Sequence, residues 1–225
     1  MDDRRYYHTY EPTSLFSFDQ GDLSRGKTGF SFSQTELYHL LISIIVLTIA
    51  FSFALTPSAG IPLFQFSGFL YNLPIAFLSI STAFFCHEIA HKFMAQRFGF
   101  WSEFRMFKMG LLIALFLGAF TGFVFAAPGA VQTIGNPNKD ERGKISASGP
   151  FINIVLSTLF FIISIFSSGI IFRISSMVAY INAFLAFFNL IPFGMLDGSK
   201  IFSWRKEIWI SMISISIVLM IFFYL

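Results

Sequence analysis

The sequence predicts an all-α polytopic membrane protein of five or six transmembrane helices, with a re-entrant or β-hairpin-like segment after its second helix. Three observations carry that prediction. The 225 residues are 55% hydrophobic and 12% charged with a mean hydropathy of +0.71, a balance that soluble domains do not show. Stretches rich in Pro, Gly and polar residues divide the chain into apolar runs of membrane-spanning length. The Lys and Arg residues gather on one side of the membrane if one of those runs turns back. A net charge of only +3 on scattered bases excludes a nucleic-acid footprint. The single cysteine, Cys86, excludes an intrachain disulfide and a cysteine-based zinc site, so a metal would need His and carboxylate.

Residues 1–36 hold six acids and four bases among Gly, Ser and Thr and lack a signal-peptide pattern. They are read as a cytosolic polar tail, which leaves 37–225 as one membrane-embedded domain with a core at 70–200. Ser33 and Glu36 have capping-box spacing, and the apolar run from Leu37 to about Thr56 can span a hydrocarbon core of about 30 Å before Pro57 stops it. The uncharged connection 57–72, broken by Pro and Gly, suits the outer interface. A second helix then follows, with Pro74 in its first turn and Gly99 at its C-terminal cap. Further apolar runs cover 110–127, 145–172, 176–191 and 208–225.

Counting bases decides how these runs are threaded. If all six cross, nine of the fifteen bases lie inside: the four of the tail, the four from Lys92 to Lys108, and Arg173. If 110–127 enters and leaves on one side, fourteen lie inside, because Lys139, Arg142, Lys144, Lys200, Arg205 and Lys206 join them and only Arg173 is left out. Five crossings with a re-entrant segment are therefore preferred, and Gly118, Gly122 and Pro128-Gly129 interrupt that segment as such a path requires.

The second helix carries the chemistry. His87-Glu88-Ile89-Ala90-His91 is the H-E-x-x-H pattern, and at 100° per residue its three polar side chains share one face. Two imidazoles one turn apart can hold one zinc ion, and the glutamate between them can take a proton from a metal-bound water. Ionisable residues inside a membrane are costly and mark function; these lie six to ten residues, about 9–15 Å, before Arg97 at the helix end. Lys92, one position on, is expected to snorkel toward the interface. His8 and His39 have no partner at metal spacing. The third ligand must be an acid or imidazole at the same depth, and Asp197 fits, because Pro192 and Gly194 interrupt the preceding helix and can turn it inward. Five crossings bring both segments to the same half of the membrane, so charge counting and metal geometry agree. Ser148, Gly149 and Pro150, with Asn153 a turn later, open the next crossing at that level, where small residues permit close packing.

Three segments together, His87 to His91, Ser148-Gly149-Pro150 with Asn153, and Asn189-x-x-Pro192-x-x-x-Leu196-Asp197-Gly198, resemble the site-2 protease family of zinc-dependent intramembrane proteases. The resemblance covers roughly residues 70–200. It implies that His87, His91 and Asp197 hold one zinc ion, that Glu88 is the general base, and that Asn189, with Asn153, contacts or positions the substrate chain. It also implies a membrane-embedded loop after the zinc helix, and residues 125–135 could there offer an edge strand to an unwound substrate. The expected partners are a single-span membrane protein substrate and the lipid bilayer. Two features depart from the family: there is no room for a PDZ domain, and only one helix follows Asp197. The alternative function, a non-proteolytic zinc transporter or scaffold, is disfavoured by Glu88 and by a single ligand cluster where transport needs several depths.

Overall fold

A computed structural model describes residues 30–56, 61, 64–124 and 128–223; residues 1–29 of the expected tail and most of the 57–63 connection lie outside it. The first helix, α1, is Gln34–Ala54, and Ser33 caps it by accepting the Glu36 N–H at 3.1 Å. The expected capping box is only half formed. The Glu36 side chain, fully buried, turns instead to the Phe104 N–H and to Lys92. A reciprocal box stands elsewhere, between Asn138 and Glu141 at the start of the helix Lys139–Ile165.

The second helix, α2, is one 32-residue element, Phe66–Arg97, starting eight residues before Pro74, which lies in its interior. Membrane-type helices tolerate an interior proline where neighbouring helices re-satisfy the backbone. A π turn, Ser81–Phe85, immediately precedes the H-E-x-x-H segment. Strand β1 (Trp101–Met106), helix α3 (Lys108–Thr121) and strand β2 (Gly129–Ile134) follow, then α4 (Lys139–Ile165), α5 (Gly169–Asn189), α6 (Asp197–Trp204) and α7 (Lys206–Phe222). The predicted 145–172 and 176–191 runs are redrawn. Their boundary falls at Ser167-Ser168-Gly169, where Gly169 turns with φ +59°, so Arg173 lies inside α5. Among the described residues four helices are long and apolar enough to cross a membrane: α1, α2, α4 and α5. Of the other two predicted spans, α3 has 14 residues and α7 has 17.

The two strands pair antiparallel with Phe104 opposite Val131 and Met106 opposite Gly129, and the Phe107 N–H donates to Pro128 O at 2.8 Å. Chain 107–128 therefore leaves and returns to one point of the fold. Along the way α3 runs beside α1 so closely that a Cβ on Gly118 would strike the Ala50 carbonyl. Leu40, Leu47, Ile80, Phe84, Phe104 and Leu111 form one apolar core among α1, α2, β1 and α3. Ile154, Ala186, Leu190, Ile201 and Met212 form another among α4 to α7. Helix α2 lies between them: Ile80 and Phe84 face the first core, while His87 and His91 face α4. Outward rows such as Phe151, Val155, Leu159 and Ile162 on α4 remain exposed and apolar, as lipid-facing surfaces are.

Candidate metal centre

His87, His91 and Asp197 converge from two elements far apart in sequence. The two Nε2 atoms lie 3.0 Å apart, and Asp197 Oδ2 is 3.4 Å from the first and 3.0 Å from the second. Metal–nitrogen bonds of about 2.0–2.1 Å at tetrahedral angles separate donor atoms by roughly 3.3 Å, so the three are spaced as ligands of one ion.

Hydrogen bonds behind the imidazoles fix which nitrogen faces inward. The Asn153 amide donates to Ala83 O at 2.8 Å and to Asn182 Oδ1 at 3.2 Å, which turns its own Oδ1 toward His87 Nδ1, 2.6 Å away. An amide oxygen only accepts, so Nδ1 carries the proton and Nε2 presents a lone pair. His91 Nδ1 lies 2.8 Å from Ile145 O, with the same consequence. Two nitrogen lone pairs and one carboxylate oxygen, all buried, demand a cation, and this donor set suits zinc.

Local sequence explains each placement. Pro192 and Gly194, the latter at φ +60°, end α5 at Asn189 and let the chain restart as α6, with Asp197 its first residue. Gly198 packs against the Leu190 carbonyl, where a Cβ could not fit, and the Trp209 indole N–H donates to the same carbonyl at 2.6 Å. On α4, a Cβ on Gly149 would overlap the Nε2 atoms of both histidines, so the absent side chain there is what admits the imidazole pair.

Glu88 lines the same cleft, of about 260 Å³, and its Oε2 accepts the Val131 N–H of β2 at 3.0 Å. In an antiparallel pair, residues alternate between bonding their partner and pointing both backbone groups outward. Val131 points outward to Glu88 and its partner Phe104 points outward to Glu36, so β2 presents its free edge to the cleft. The rest of the cleft is lined by Thr133, Arg142, Ile145, Met195 and Lys200, with Lys200 Nζ 3.7 Å from Asp197 Oδ1.

Several expectations change here. Asn153 is fully buried behind His87 with its polar atoms engaged, which makes it a support of the ligand. Asn189 donates its amide to Leu185 O at 3.0 Å, within its own helix, and does not line the cleft. Lys92 does not snorkel: it is fully buried, because its ammonium meets the Glu36 carboxylate inside the fold. The cleft is lined by β2, by the first turns of α4, and by Met195 and Asp197 from the 189–197 segment. Sequence reading missed Asn182 and Ser146, polar residues on otherwise apolar helices, and that placement was the available signal; Glu36 was read only as a capping residue.

A bundle of membrane-length helices carrying a two-histidine, one-aspartate donor set beside a glutamate defines a polytopic membrane metallohydrolase. Comparison with known proteins supplies the particular family. Residues 75–174 match the family described as peptidase family M50. A curated protein of Methanocaldococcus jannaschii named "Putative zinc metalloprotease" is 35% identical over 183 residues, covering 80% of this chain and 90% of that one. The chain belongs to peptidase family M50, the site-2 protease family of metalloproteases. No solved structure matches it.

Proposed function

We propose that the protein is an intramembrane zinc endopeptidase that cuts a single-span membrane protein within or near its span, releasing a cytosolic fragment from a regulatory precursor. The observation that carries this reading is the place of Glu88, which stands beside the three donors and also binds the open edge of β2. Base, donors and a strand-shaped receptor thus share one cleft.

His87, His91 and Asp197 would hold the ion, and Asn153 and Ile145 keep the two imidazoles pointed at it. An ion held there would supply Lewis acidity toward water and the scissile carbonyl. Glu88 takes the proton of the attacking water and returns it to the departing amine. A helical substrate hides its carbonyls in i to i+4 bonds and must unwind first. The outward carbonyl of Val131 and the outward backbone groups of Thr133 can then receive it as an added strand, beside the Val131 N–H that Glu88 already holds.

Orientation follows from charge. Among the described residues, every Lys and Arg except Arg173 lies on or beside the elements that meet at the metal centre. Arg173 sits at the other end, bonded to Asn72 and over the Tyr71 ring. This asymmetry supports an orientation with the active-site end and the tail in the cytosol and with 107–128 as a re-entrant excursion from that side. Purified protein should cleave at least one of a panel of tagged single-span substrates, lose activity with a chelator and regain it with zinc. Cleavage that persists in chelator, or no cleavage of any substrate by zinc-loaded protein, would reject the reading.

A further inference from the structure

We propose that Glu36 and Lys92 are positioning residues for proteolysis: together they close the outer edge of β1 and lock the sheet to the zinc helix, so that only β2 can receive the substrate strand and its scissile bond falls at the metal. The inference rests on the reading of β2 as the substrate edge.

Both side chains are fully buried and ion-paired to each other. A buried pair of this kind is weak evidence for stability, since apolar replacements often serve as well, and its best-attested use is to fix register. Here the registering contacts are explicit. Ser102 and Phe104 are alternate residues of β1 whose backbone groups point away from β2. Glu36 accepts the Phe104 N–H at 3.0 Å, and Lys92 donates to Ser102 O at 3.1 Å. Ser102 Oγ returns a bond to Lys92 O at 3.3 Å, and Ser33 Oγ donates to Glu103 at 2.9 Å. The edge that would otherwise invite a strand is thereby occupied.

The same cross-strand pair is held from both sides. Phe104 is tied to Glu36 on one edge, while Val131, its partner, is tied to Glu88 on the other. Lys92 directly follows the ligand His91, so the sheet is referenced to the metal through one peptide bond. A sheet released from this clamp can slide relative to the metal, and strand pairing slips in steps of two residues when the same face is kept.

The test is the double variant Glu36→Leu/Lys92→Leu, which removes both charges together and leaves neither unpaired. It should keep its fold and zinc, cleave a single-span substrate at least about tenfold more slowly, and spread its cuts to bonds on either side of the wild-type position, read by mass spectrometry of the products. Loss of folded protein alone lowers the rate without moving the cut. Glu36→Gln/Lys92→Met keeps an acceptor for the Phe104 N–H but no donor for Ser102 O, so it should spread the cuts less than the Leu pair yet still measurably, and it replaces the first variant if that one fails to fold. Amide exchange gives a readout independent of cleavage: protection at Phe104 and Val131 should fall at least tenfold in the Leu pair while α4 and α5 hold theirs. An unmoved cut site, or unchanged protection at those two amides, overturns the proposal. Wild-type protein that cuts nothing would reject the protease reading instead, and the exchange result would still decide the clamp.

Discussion

Glu88 and the three donors around it should fail in different ways. Glu88→Gln removes the proton acceptor and leaves the donors in place, so cleavage should fall by about 10²–10⁴ while zinc stays near one per chain. His91→Ala and Asp197→Ala should lose much of the metal as well, and metal analysis of the purified variants separates the cases; full zinc in Asp197→Ala would mean a different third ligand. Gly149→Ala tests a subtler requirement, because its methyl group would occupy the space of both Nε2 atoms. It should abolish zinc binding in a protein whose helical content is unchanged. Asn153→Ala leaves the His87 Nδ1 proton buried without its partner and should weaken zinc by about 10–100-fold, measured by competition with a chelator. At this scale the sequence was most readable where a helix brings residues together by its own period, as with His87, Glu88 and His91. Gly149 could be placed near the site but not given its task, and Asn153 was read as a substrate contact and not as a support of His87, since both tasks depend on how α4 meets α2.

The element that most shapes substrate handling is β2. Thr133, like Val131, directs its N–H away from β1 and into the cleft, so Thr133→Pro removes a donor from the receiving edge without breaking a bond of the β1–β2 ladder. The expected result is a KM for an unwound or single-span substrate raised several-fold, with zinc content unchanged; an unaltered KM would move the substrate strand off this edge. Helix boundaries were the least readable elements. Pro74 looks like a first-turn residue, yet α2 begins at Phe66, because the one glycine of 66–73, Gly68, is too small a penalty to stop a helix in an apolar setting. The Ser33–Glu36 spacing matches a capping box whose glutamate is drawn to a strand 68 residues away.

Threading across the bilayer belongs to the whole molecule. In a Cys86→Ala background, Lys139→Cys and Lys206→Cys should react with impermeant reagents only from the cytosolic side, and Ser168→Cys, at the α4–α5 turn, only from the other. Lys139→Cys and Ser168→Cys reacting from one side would remove the crossing assigned to α4, a helix of 27 residues and about 40 Å. The metal centre lies toward the end of the bundle that carries these charges, where β2, Arg142 and Lys200 line the cleft.

Whatever depends on periodicity or composition was determined by the sequence alone: apolar spans, the one-faced H-E-x-x-H helix, the charge bias, and an Asp197 freed by Pro192 and Gly194. Apart from the charge bias, which is summed over the chain, each is a local property, written within a few turns. Tertiary structure decided what joins distant segments: that Asn153 orients His87, that Gly149 makes room for two imidazoles, and that Lys92 faces Glu36 in the interior. Those outcomes turn on which helix faces which and at what distance, and a buried charge becomes tolerable only once its partner has been brought beside it.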